Sequence, residues 1–215
     1  MAESTARLYL LSPLITDAEA FGPRIAEACG AGGVAAVLLR FEAADERTLV
    51  KHVKTLAPVA QDKGAAAVIA AGGEVDLAAV ALRGGADGVH SGAGPGEVRA
   101  LRERLKGDRI VGAGNIRSKH DAMTIGEMEV DYLMFGEPRA DGSLPALEAV
   151  IERAAWWAEI FKTPCVVYAP RLDDVPDLAR TVSGTLQVRG PNAVVASGCL
   201  LGRMMCRSQT WTRVS

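Results

Sequence analysis

The stretch Gly84 to Gly92, GGADGVHSG, places one of the chain's three histidines, His90, directly after a short apolar step. Imidazole changes charge close to neutral pH. At a strand end, His90 can therefore carry a proton or hydrogen-bond a ligand ring or phosphate; the plainer alternative is a histidine satisfied by local backbone. Arg40 closes the run Val34–Arg40. Its planar fork suits a phosphate clamp, unless it pairs with Glu42 or Asp45 instead. Glu137, between Gly136 and Pro138, can act as a general acid or base if burial raises its pKa; on an open loop it is simply solvated. Ser197-Gly198 ends the last apolar run and opens a helical pattern. Free N–H groups and the dipole at such a corner favour a phosphate, whereas a plain serine N-cap would serve only the helix.

These groups need a scaffold that brings strand ends together. Eight short apolar runs recur along the chain: Arg7–Leu11, Val34–Arg40, Ala65–Ala71, Asp87–His90, Arg109–Gly114, Asp131–Gly136, Pro164–Ala169 and Asn192–Ser197. Each is followed by a helical pattern. Asp45 opens one with Leu49, Val53 and Leu56 on a single face, closed by Gly64. Others run from about Glu74 to Arg83, from Pro95 to Gly107, from Ser118 toward Met128 and from Leu144 to Lys162. A last helix starts near Cys199. The apolar runs are nearly continuous rather than alternating, as parallel strands covered on both faces require. Eight such units predict a (β/α)8 TIM barrel of the α/β class, with a doubly wound sheet as the rival. No linker interrupts residues 1–215, so a single domain is expected. In a barrel the chemistry belongs at the carboxyl ends of the strands, where Gly92, Asn115 and Gly136 also fall; these three are expected to touch substrate.

Composition bounds the partners. With 215 residues, 49% of them apolar, a sizeable core is available. A formal net charge of −2 leaves no electrostatic footprint for nucleic acid or an anionic membrane. The four cysteines, at 29, 165, 199 and 206, have no Cys-x-x-Cys spacing, so reduced thiols and a cytoplasmic location are expected. The N-terminal apolar run is too short for a signal peptide, and no block approaches the length of a membrane span. Trp156-Trp157 sits on a surface helix. One ring is expected in the core and the other in a homodimer contact.

Taken together, LYLL in the first run, LLR in the second, GADGVHSG in the fourth, DYLMFG in the sixth and NAVVASG in the eighth resemble the thiamine phosphate synthase superfamily, which also holds a thiazole tautomerase branch. The resemblance implies a (β/α)8 barrel that joins a pyrimidine pyrophosphate to a thiazole phosphate, releasing pyrophosphate with Mg2+. Its phosphates need cations or a metal as the leaving group departs. The family pattern is matched at Arg40, His90, Gly92, Ser197 and Gly198. It is departed from elsewhere: a strand-two glutamine is Leu38, a strand-two lysine is Glu42, and a downstream metal aspartate falls near Pro95. A loop-six lysine falls near Leu144. The Asn-Asp pair after strand three has only Glu74 and Asp76 nearby, which become the candidate metal ligands. Glu137 occupies the position of the tautomerase histidine. A thiamine phosphate synthase-like transferase with a depleted site is therefore expected, with a tautomerase-like isomerase or a non-catalytic phosphate-binding barrel as alternatives.

Overall fold

The computed structural model describes residues 7–139, 141–176, 178 and 193–197. Its strands are β1 (Arg7–Ile15), β2 (Val34–Phe41), β3 (Ala66–Ala71), β4 (Gly88–Ser91), β5 (Ile110–Ala113), β6 (Tyr132–Phe135), β7 (Cys165–Tyr168) and β8 (Ala193–Ser197). All neighbouring pairs are parallel, and β1 pairs with both β2 and β8, so the sheet closes on itself. The helices between them are α1 (Ala18–Gly30), α2 (Glu46–Gln61), α3 (Leu77–Gly84), α4 (Pro95–Leu105), α5 (Lys119–Gly126) and α6 (Leu147–Ile160). The barrel is the expected one, and the open doubly wound sheet is excluded by the β1–β8 pairing.

The alternation of side chains along each strand divides the core in two. Leu10, Val37, Leu39, Phe41, Ile69, Val89, Leu133 and Phe135 face outward into the layer against the helices. Tyr9, Leu11, Ala36, Leu38, Val68, Tyr132, Met134 and Val166 face inward and fill the barrel. Helices start where capping side chains are available. Asp17, Asp45 and Asp76 accept the N–H of the third helical residue, and Ser118 with Asp121 forms a reciprocal capping box.

Several boundaries moved. β1 was expected to stop at Leu11 but runs on to Ile15, with a register shift against β2 between Leu11 and Leu14. Pro13 cannot donate to the ladder; Ser12 Oγ accepts the Arg40 N–H at 2.8 Å and carries the pairing across the break. α3 begins at Leu77 rather than near Glu74 because Asp76 is its cap. α6 is shorter than Leu144–Lys162 at both ends. The helix expected from Cys199 lies outside the described residues. Trp157 is fully buried, stacked on Phe161 at 3.9 Å between centroids, and donates Nε1–H to Thr163 O at 2.8 Å. Trp156 is half-buried beside it.

The amino end of the barrel carries a device used twice. Asp87, just before β4, accepts the Ala67 N–H of β3 at 2.7 Å and the Gln61 amide at 2.9 Å. Asp131, just before β6, accepts the Val111 N–H of β5 and the Arg102 guanidinium, both at 2.8 Å. Each carboxylate thus ties its own strand to the preceding one.

Candidate active site

At the opposite rim, the carboxyl ends of the strands surround a cavity of about 440 Å3. Arg40, His90, Gly92 and Glu137 line it, together with Ser91, Glu97 and an apolar wall that includes Leu11, Leu38 and Leu77. Arg40 and His90 arrive there by the inward phase of β2 and β4. Glu137 arrives by the turn after β6, where Gly136 adopts φ +93°. A side chain at Gly136 would also meet Val150 at 2.9 Å, so glycine is demanded twice over.

The central feature is a line of hydrogen bonds running from the barrel interior to this cavity. Tyr9 Oη lies 2.7 Å from Tyr132 Oη, which lies 2.9 Å from His90 Nδ1. His90 Nε2 lies 3.0 Å from Glu137 Oε1, and Glu137 Oε2 accepts the Asn115 N–H at 2.7 Å. Two glycines of β5 and its end make room. A Cβ at Gly112 would stand 2.0 Å from Tyr132 Cζ. One at Gly114 would stand 2.0 Å from Glu137 Oε2 and 2.6 Å from His90 Nε2. Asn115 takes φ +56°, a conformation asparagine tolerates, and its side-chain amide donates to Gly92 O at 3.1 Å.

Electrostatics follow from this packing. Burial pushes the Glu137 carboxyl upward, but the charge and hydrogen bond of His90, the Asn115 N–H and the Arg40 guanidinium outweigh it, leaving the carboxyl below its usual range. The Tyr9 and Tyr132 hydroxyls are pushed well up by burial, so both stay protonated. Among the described residues no ion pair joins Arg40 to Glu42 or Asp45; Asp45 caps α2 through Thr48. Ser91 Oγ donates to Glu97 Oε1 at 2.9 Å, adding a second carboxylate to the wall.

Of the sequence candidates, Arg40, His90, Gly92 and Glu137 are brought together, with Asn115 and Gly136 shaping the same pair. Ser197 ends β8 at this rim; its side chain and Gly198 lie outside the described residues. Glu74 is exposed and does not line the cavity. Asp76 is bound at both oxygens by Arg104, at 2.5 and 2.7 Å, and also accepts the Ala79 N–H. That hydrogen-bonded guanidinium holds the Asp76 carboxyl below its usual range. Among the described residues no three His, Cys, Asp or Glu side chains gather to hold a metal, so Glu74 and Asp76 do not fit a protein-held Mg2+. Tyr9, Tyr132 and Glu97 were not anticipated as part of the site. The signal for Tyr132 lay in its inward phase opposite an inward glycine, Gly112.

A family model described as thiamine monophosphate synthase matches residues 8–180. The chain belongs to that family. A thiamine-phosphate synthase of Rhodospirillum centenum is 38% identical over 161 residues, covering 74% of this chain and 75% of that one. One from Erythrobacter litoralis is 31% identical over 173 residues, 76% of each chain. The solved thiamine phosphate pyrophosphorylase from Pyrococcus furiosus superposes with a TM-score of 0.67 at 24% identity, over 93% of this chain and 89% of that one, and shares the barrel. The function of this family member is thiamine phosphate synthase-like, within thiamine biosynthesis. No described helix is long and apolar enough to cross a membrane.

Proposed function

We propose that the barrel mouth couples a pyrimidine pyrophosphate to a thiazole phosphate. The bond from the pyrimidine methylene to pyrophosphate breaks, a bond from that methylene to the thiazole nitrogen forms, and pyrophosphate leaves with its electron pair. The observation that carries this reading is the convergence of Arg40, His90 and Glu137 on one cavity at the carboxyl-end rim. Arg40 meets phosphate oxygens with its fork. The apolar wall of Leu11, Leu38 and Leu77 takes ring faces and excludes water, which strengthens every charge interaction beside it.

Mg2+ is the ion that the family resemblance implies. Because Asp76 is committed to Arg104 and to its helix cap, no step is assigned to a protein-held metal. The tautomerase-like reading is the weaker one: a carboxylate held below its usual pKa is a poor proton acceptor at neutral pH.

The test is direct. Purified protein is incubated with both substrates, with and without Mg2+, alongside an active synthase as control, and thiamine phosphate and pyrophosphate are measured. Formation of both in equal amounts, lost in Arg40→Ala, is expected. No product above the protein-free background, while the control turns over, refutes the coupling. Steady binding of thiazole phosphate without product would leave a ligand-binding barrel.

A further inference from the structure

Hydrogen-bond direction along the buried line has two solutions. In the first, Tyr9 donates to Tyr132, Tyr132 donates to His90 Nδ1, and His90 Nε2–H donates to Glu137. Every hydroxyl proton then has an acceptor, with His90 neutral. In the second, His90 is an imidazolium donating from Nδ1 to Tyr132, so Tyr132 must donate to Tyr9. The Tyr9 hydroxyl proton is then left, deep in the barrel, without an acceptor among the described residues. In both arrangements the His90 Nε2–H donates to Glu137, so the carboxylate is anchored in the same place either way. Glu137 therefore receives fixed hydrogen bonds from His90 and Asn115, one on each oxygen. Its carboxylate, fixed by these two bonds, stands at the wall of the cavity.

We propose that Glu137 is the counter-charge for a positively charged heteroaromatic ring, held in place by Tyr9, Tyr132 and His90 as positioning residues. This rests on the coupling reading for its chemistry. Alkylating the thiazole nitrogen turns a neutral ring into a cation, and positive charge already builds on the methylene carbon as pyrophosphate departs. A fixed carboxylate aimed at that charge stabilises the transition state more than the neutral ground state. Each Glu137 oxygen keeps a lone pair beyond the bonds to His90 and Asn115. Arg40 lines the same cavity and takes the phosphate, so one cavity offers opposite charges to the two ends of one molecule.

Calorimetry on the full chain separates this from a structural role. Thiamine phosphate, whose ring is cationic, and thiazole phosphate, whose ring is neutral, are titrated into wild type, Glu137→Gln and Tyr132→Phe. Glu137→Gln should weaken thiamine phosphate at least tenfold and leave thiazole phosphate within about twofold. Tyr132→Phe should show the same selective loss, smaller in size. Equal losses for both ligands, no loss for either, or no binding of thiamine phosphate by wild type each overturn the assignment. Should Glu137→Gln fail to fold, Tyr132→Phe alone decides. Selective binding with no coupling activity would sink the coupling reading and leave this one standing; coupling activity with equal losses would do the reverse.

Discussion

Replacing Gly114 by alanine tests the site's central pair without touching either of its members. The new methyl would lie 2.0 Å from Glu137 Oε2 and 2.6 Å from His90 Nε2, whereas carbon contacts below 3.0 Å do not occur. The carboxylate must retreat by about 1 Å, which carries the 2.7 Å bond from Asn115 N–H beyond hydrogen-bonding range and strains the 3.0 Å bond to His90. Gly114 is not among the residues at positive φ, so alanine meets no backbone strain of its own. Hydrogen bonds to a charged group contribute about 1.5–3 kcal/mol each. With partial relaxation, the expected cost is about 3 kcal/mol, read from urea denaturation at neutral pH. Most of it comes from one colliding head group, so it should shrink by at least ~1.5 kcal/mol in a Glu137→Ala background, a coupling of the size neighbouring residues show. Strict additivity of the two changes would refute the packing described for this site.

Acid titration offers an independent check. The folded Glu137 carboxyl lies below its ordinary value of 4.5. Its contribution is therefore complete above that value and fades as pH falls through the lower folded one. Wild type should lose stability faster than Glu137→Gln on acidification below about pH 4.5; parallel curves would deny the shift. Trp157→Ala should cost about 3–5 kcal/mol by denaturation, since the indole is fully buried against Phe161 and Phe135 and donates to Thr163 O. Burial pushes the Cys165 thiol up to about 12, so peptide mapping after alkylation of the native protein at neutral pH should find Cys165 unmodified. Labelling of that peptide without unfolding would contradict its burial.

The barrel was legible because its signals are local. Each apolar run and each capping Asp or Ser lies within a few residues of what it determines, and a strand that ends at Arg40 or His90 delivers that residue to the rim. What could not be read is what joins distant strands. His90 and Glu137 meet across the turns after β4 and β6, and nothing in either stretch names the other. Tyr9 and Tyr132 stand in runs rich in leucine and methionine, where an aromatic ring reads as filler; only the pairing of an inward tyrosine with an inward glycine reveals the polar line. Asp76 is a candidate ligand in the sequence because it stands near the place of the family's Asn-Asp pair after strand three. Its guanidinium partner, Arg104, comes from α4 packing beside α3, which composition does not encode.

The two aspartates before β4 and β6 have a consequence for how this lineage can change. They lie in the most recognisable words of the sequence, GADGVH and DYLMFG, yet both sit at the floor of the barrel, a strand's length away from the mouth. A descendant could abandon its original reaction entirely and still be obliged to keep these letters, because they rivet adjacent staves rather than meet a ligand. Part of each signature therefore records how the vessel is built, and the rest, the rim-facing histidine, Tyr132 behind it and the residues after Phe135, records what it holds.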